Sequence, residues 1–432
     1  MKIKLYNNYN NIERIFYKNL RKENLDNKLE KSVIHSRYMD SSQSIIVPEN
    51  ETLTIAKFPP NRFSEKIGTH PDFIDESLLP KTQYICSIFL DIKGSTRLAL
   101  KYDLETVQKI KNAVLSTGIE IIRYFGGHIH RLQGDAIFAF TGHSKLLKSD
   151  AIIQAINAAS VIQYMNQNIL KKYFENVLGV SSLKIRIGID FGDDDEVLWS
   201  KYGIDNINEV TVTSLHADLS SKLQNKASEN SIMVGENVFS YLQLPDDLLS
   251  DIYIKGSSEE KDYYIMKHNS FNYKMKNFDW SKYLERIAHF ESYEGDFQIK
   301  CYYLSENERR IPYYSEKALE KDTDIVYQIE ASQSLLHKIN SVEWTVSNSG
   351  IEASKEEELD YVVPKEAFTD EDNAVFRCKR HTAFNGLHYM ICKIKAEGNI
   401  TKNKYFSLYV NDNDLSKSYL KKAELGSVNN FV

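Results

Sequence analysis

Cysteine is scarce and scattered: the four in this chain, Cys86, Cys301, Cys378 and Cys392, lie far apart, and none belongs to a CxxC pair. This argues against a paired-cysteine zinc site and a disulfide framework, and it fits a reducing compartment. Long apolar runs are missing too. No stretch of about 18 apolar residues could span a bilayer, and the start, MKIKLYNNYNNIERIF, has no apolar signal core. A cytoplasmic protein without direct membrane insertion is expected. Basic excess is absent: the formal net charge is -6, whereas a general nucleic-acid binder carries a positive balance. No nucleic-acid partner is expected.

What is present is a composition of 42% hydrophobic and 26% charged residues, typical of a folded globular chain and long enough for two domains. Residues 1–80 read as an N-terminal segment, helical from about Asn11 to Ser36 and then extended through Pro48, Pro59, Pro60 and Pro71. From residue 81 the texture changes. YICSIFLDI reads as a buried strand, and the spacing of Val107, Ile110, Val114, Ile121 and Ile122 predicts a helix from Ser95 to Phe125. HIHRLQGDAIFAFTG reads as two strands joined at Gln133-Gly134-Asp135. A second helix over about 149–172 and the strand LKIRIGIDFG, with one buried face, complete the order strand, helix, hairpin, helix, strand. That is the ferredoxin-like βαββαβ plan of an α+β domain, over 81–268. Residues 269–299 read as a helical connector, and 300–432 as a small all-β sandwich with strands such as KCYYL, SVEWTVSN, HYMICKIKA and KYFSLYV.

Two segments carry chemistry. In Phe89-Leu90-Asp91-Ile92-Lys93-Gly94-Ser95-Thr96 a carboxylate ends a buried strand and a glycine turn leads into a helix. Hard cations take such oxygens and bridge them to phosphates, which the turn amides also favour. In Arg131-Leu132-Gln133-Gly134-Asp135 the hairpin turn brings a second carboxylate toward the first. Two carboxylates so close repel unless a cation lies between them, an arrangement suited to two-metal phosphoryl transfer. Taken singly, Ser95 or Thr96 could be an N-cap and Asp135 a type I′ turn residue.

FLDIKGSTRL and HRLQGDAIFAFTG resemble the two metal motifs of the class III nucleotidyl cyclases, and RIGIDFGD followed by EVLW fits as well. The resemblance covers about 84–267. It implies that Asp91 and Asp135, helped by the Ile92 carbonyl, hold two divalent cations (Mn²⁺ or Mg²⁺), with Gly94, Ser95 and Thr96 beside the nucleoside triphosphate. It also implies a homodimer with shared active sites, one chain giving the metals and its partner the remaining groups. The family's base readers fall at Arg131 and, with Asp218-Leu219-Ser220-Ser221-Lys222 in register, at Thr211, matching neither the adenine nor the guanine pair. Together with GTHPDF and the C-terminal half, which resembles a sensor-type β domain, this points to the pyrimidine cyclases of bacterial anti-phage signalling (the Pycsar system). Their product acts on a separate effector. Because Arg131 only donates hydrogen bonds, it suits a uracil carbonyl, so UTP is placed ahead of CTP.

The same register puts Asp218 at the transition-state position and Lys222 at a phosphate-binding one. Either Asp218 orients Lys222, or His216 or another residue takes the role, or the exposed pair is a solvated helix face. His128 and His130 share a strand face and read as structural, without a third ligand for a metal. Asp193-Asp194-Asp195-Glu196 reads as a solvated loop. Two other functions stand beside the leading one: a purine cyclase with unusual readers, and a catalytically silent nucleotide-sensing module.

Overall fold

The computed structural model describes residues 67–422 apart from 69, 177, 182, 255, 258, 269, 288–296, 306–308, 365–375 and 399. The expected N-terminal helix and most of the extended segment lie outside the described residues. Among the described residues no helix is long and apolar enough to cross a membrane.

The first domain is built on β1 (Ile85–Ile92), α1 (Leu104–Tyr124), β2 (His128–Gln133), β3 (Ala136–Thr141), α2 (Lys148–Met165) and β4 (Ile185–Gly192). The sheet order β4-β1-β3-β2 is that of the expected βαββαβ plan. Ile88, Leu90, Ile92, Ile137, Ala139, Ile187 and Ile189 point to one face and are buried under α1 and α2. Each large side chain so buried contributes roughly 1.5–3 kcal/mol. α2 runs on through a π turn to Asn176.

On the opposite face a hairpin of β5 (Leu198–Ile204) and β6 (Ile207–Thr213) leads into α3 (Leu215–Lys226), which lies directly on β4. Gly188 makes that possible: a Cβ there would stand 2.2 Å from the Ser220 carbonyl oxygen and 2.3 Å from the Gln224 amide nitrogen. β4 is therefore covered on both faces, where the sequence pattern predicts one. β7 (Ser231–Gly235) pairs parallel with β4 and is followed by α4 (Glu236–Tyr241). β8 (Tyr264–His268) and β9 (Phe271–Phe278) extend the sheet beyond β7.

The expected helical connector is corrected here. Residues 271–278 are strand β9, paired with β7, with Phe271, Tyr273 and Met275 buried in alternation. A short helix, α5 (Trp280–Arg286), follows. The second domain is the expected sandwich. One sheet holds β10 (Gln298–Leu304), β11 (Arg310–Tyr313), β12 (Asp324–Glu330) and β15 (Arg377–His381). The other holds β13 (Ile339–Ser347), β14 (Asp360–Val362), β16 (Gly386–Ala396) and β17 (Ile400–Val410). Trp344, Tyr327, Phe406 and the free thiols of Cys301, Cys378 and Cys392 fill the space between them.

The two domains meet through buried polar contacts. Tyr409 donates to the Tyr283 hydroxyl at 2.8 Å, which donates to Asn157 Oδ1 at 2.7 Å. Ser407 Oγ reaches the Arg286 carbonyl at 2.7 Å, and the Ala318 amide donates to Asp150 at 2.9 Å. After α6 (Asn413–Ser418) the chain returns to the first domain, where the Lys421 amide donates to Asn237 Oδ1 at 2.7 Å.

Candidate active site

β1 points Ser87, Phe89 and Asp91 to the face opposite the helices α1 and α2, because the neighbouring positions are held in that core. β1 and β3 pair with Leu90 opposite Ile137. Continuing the register places Asp91 level with Ala136 and Asp135 at the adjoining turn, across a strand spacing of about 4.8 Å. The turn is a two-residue one, with Gln133 paired to Ala136. Only Gly134 takes a positive φ, 67°, so its φ signs are those of a type II′ turn, which favours Gly at the first central position, and not the type I′ weighed from the sequence.

Each carboxylate has a basic neighbour. Arg186, directly opposite Asp91 in β4, donates to its Oδ2 at 2.6 Å, and Gln224 from α3 donates to the same oxygen at 3.2 Å. Lys111 of α1 lies 3.5 Å from Asp135 Oδ1. Asp135 Oδ2 is buried and has no hydrogen-bond partner, a costly state for a carboxylate oxygen. A hard divalent cation suits this donor set. Among the described residues no group of three or more His, Cys, Asp or Glu side chains is placed to hold a metal, so the remaining ligands would be backbone, substrate or water oxygens.

The single helix expected from Ser95 is broken. Gly94, at φ 77°, opens one 3-10 turn over Ser95–Arg97, and a short helical turn ends at Lys101. The long helix begins afresh at Leu104 because Asp103 caps it, accepting from the Thr106 amide at 2.9 Å. Near Asp91 the chain thus offers turn amides and not the end of a long helix. Ile92 buries its side chain in the core and pairs with Ile185.

Arg131 and Thr211 are brought together by a β-bulge. Register slips between Ile129 and Arg131, so His130 and Arg131 both face β6. His130 Nε2 lies 3.0 Å from Thr211 Oγ1, and Arg131 forms an ion pair with Glu209. Positions 209 and 211 share a face of β6. His130, with its ring against Phe138, Phe140 and Trp199, is held neutral by burial, its pKa down to about 4. His70 of the GTHPDF segment joins that cluster and is lowered further, to about 2.

Asp218 and Lys222 stand one turn apart on the exposed side of α3. His216 does not stand with them. It is 1% exposed, its Nδ1 3.0 Å from Asp190 Oδ2 and its Nε2 3.3 Å from Glu196. Burial alone would lower its pKa, but the two carboxylates outweigh it and raise the imidazole to about 9. The imidazolium belongs to an internal network that also holds Tyr273, which donates to Asp190 at 2.7 Å. The acidic run is likewise no solvated loop: Glu196 reaches His216, Lys148 pairs with Asp193 and Asp194, and Lys422 reaches Asp195 at 2.7 Å.

Four residues of the site escaped the sequence: Lys111, Arg186, Glu209 and Gln224. Arg186 carried a signal, as the one charged side chain amid the apolar IRIGI. The others lie beside their partners only through the register, the bulge and the docking of α3.

A βαββαβ sheet carrying two neighbouring carboxylates beside basic groups fits a class III nucleotide cyclase. Residues 79–267 match the family described as the adenylate and guanylate cyclase catalytic domain, and residues 268–411 the adenylyl/guanylyl and SMODS C-terminal sensor domain. A cytidylate cyclase of Staphylococcus aureus is 44% identical over 366 residues, covering 82% of this chain and 85% of the relative. A cytidylate cyclase of Escherichia coli is 33% identical over 360 residues, covering 78% and 76%. Among solved structures, the adenylyl cyclase CyaB of P. aeruginosa matches 46% of this chain and 96% of its own at 19% identity and a TM-score of 0.38. The chain belongs to the pyrimidine cyclases, whose class III catalytic domain is joined to a C-terminal sensor domain. Class III cyclases act on nucleoside triphosphates with divalent metal ions, and often as dimers.

Proposed function

We propose that this chain converts CTP to 3′,5′-cyclic CMP and pyrophosphate, with two divalent cations (Mg²⁺ or Mn²⁺) held at Asp91 and Asp135. The observation that carries the reading is the buried, unpartnered Oδ2 of Asp135 at the turn beside Asp91. Bound there, divalent cations supply charge stabilisation for the triphosphate and the attacking 3′-hydroxyl. The relatives named as cytidylate cyclases favour CTP; UTP, which a donor-only Arg131 suggests, is the second substrate.

The chain's own groups have separate tasks. Arg186 holds Asp91 in place through its charge-assisted bond, and its guanidinium would be available to phosphate oxygens were that carboxylate to hold a cation. Gln224 ties the same carboxylate to α3. Lys222 gives a positive charge on the exposed face of α3, and Asp218 stands one turn before it, at a spacing from which it would orient that side chain. Gly94, Ser95 and Thr96 line the turn that follows the metal strand.

Active sites shared within a homodimer fit the surface. Phe89 and Phe138 stack at 4.5 Å, partly exposed on the face of Asp91, and the hairpin tip carries Ile204 and Ile207 at 71% and 78% exposure. A second protomer would cover these apolar groups. In this reading the cyclic nucleotide, made in the cytoplasm, is an anti-phage signal to a separate effector, and the sandwich domain receives the trigger. Incubating the purified chain separately with CTP, UTP, ATP and GTP, with Mg²⁺ or Mn²⁺, and identifying products by mass tests the reading. Cyclic CMP as the main product is expected. No cyclic product would refute the enzyme, and a purine product alone would refute the pyrimidine assignment.

A further inference from the structure

The bulge in β2 and the hairpin strand β6 create a pair that neither segment announces alone. We infer that Glu209, acting with Arg131, is the residue that selects cytosine over uracil, an inference that rests on the cyclase reading above. Side-chain exposures of 42% for Arg131 and 53% for Glu209 leave part of each side chain open to a base, with Arg131 Nη2 buried against the carboxylate. Thr211, the other candidate reader, is already engaged: its hydroxyl lies 3.0 Å from the buried His130 imidazole. The acceptor beside Arg131 is therefore a carboxylate.

The chemistry of the pair is directional. A guanidinium only donates and a carboxylate only accepts, so together they present acceptor, donor, donor. Cytosine presents the complement along one edge: the 4-amino donor, the N3 acceptor and the O2 acceptor. The arginine fork can span N3 and O2 while Glu209 accepts from the amino group. Uracil in the same pose sets its 4-carbonyl against the carboxylate and its N3–H against the guanidinium. Both contacts are then like against like, and a site built on hydrogen bonds rejects such a mismatch strongly. An exposed ion pair with a purely structural role would add little stability and treat both bases alike.

The full-length Glu209→Gln chain tests this, with kcat/KM measured for CTP and UTP by mass detection of the cyclic products. Glutamine keeps the size but adds a donor that can face the 4-carbonyl of uracil. The CTP-to-UTP ratio is expected to fall by about tenfold or more, through loss on CTP and no loss on UTP. Glu209→Asp, which keeps the acceptor, is expected to retain the CTP preference and serves where the glutamine variant does not fold. An unchanged ratio, or an equal fall on both substrates, would overturn the inference while leaving the cyclase intact. Wild-type protein inactive on both pyrimidines would overturn the cyclase reading and this inference with it.

Discussion

At the scale of single residues, charge placement governs the molecule's response to pH. His216 is held as an imidazolium, its pKa raised from the ordinary 6.5 to about 9 by Asp190 and Glu196. A folded-state pKa raised in this way gives stability that is fully present below pH 6.5 and is lost as pH rises toward 9. On the order of 3 kcal/mol is expected to be at stake over that window. Thermal melts of wild type should therefore fall between pH 6.5 and 9, while His216→Gln should lack that slope. Parallel profiles for the two proteins would show that the imidazole is not charged in the fold. In the sequence, Asp91 and Asp135 stand out as candidates because each sits in a strand-to-turn motif readable within eight residues. The sequence places UTP first on a donor-only Arg131 beside a Thr211 that can donate or accept, because Glu209, the ion-pair partner of Arg131, is far along the chain and meets it only through the bulge.

Among elements, the contact of α3 with β4 joins the exposed Asp218 and Lys222 to the strand that carries Asp91. The helix rests on bare backbone at Gly188, and its Gln224 reaches Asp91. Gly188→Ala would put a methyl group on the Ser220 carbonyl and the Gln224 amide, forcing α3 outward. A loss of about 1–3 kcal/mol or more is expected, seen as a lower melting temperature, together with a fall in cyclisation rate as Gln224 leaves Asp91. A variant with unchanged melting and rate would mean that the helix does not sit on the strand. The order of elements in the first domain is readable from apolar spacing, but the sequence predicts helix where β9 forms. The buried alternation of Phe271, Tyr273 and Met275 was present in the sequence; the charged KYLERI segment that follows, which does form α5, drew the helical reading across it. The acidic run reads as a solvated loop in sequence because Lys148 and Lys422, which neutralise it, come from distant segments.

Across the whole molecule, the sensor domain is fixed to the catalytic domain by buried hydroxyls and amides. Tyr283 stands at the centre, accepting from Tyr409 and donating to Asn157. Tyr283→Phe would leave Asn157 Oδ1 and the Tyr409 hydroxyl buried without that partner, at a cost of about 1–3 kcal/mol each. A urea midpoint lowered accordingly is expected, and an unchanged midpoint would show that the junction is not closed as described. The same junction gives any event in the sandwich a route to the catalytic domain, through α5 and through Lys421 on Asn237, whose Nδ2 is 3.4 Å from His216. The central claim remains the carboxylate pair. Cyclic CMP formation should be measured for wild type and Asp135→Asn at matched, folded concentrations in Mn²⁺. A loss of about a hundredfold or more is expected for the variant, and an undiminished rate would contradict the assignment of Asp135 to the metal site.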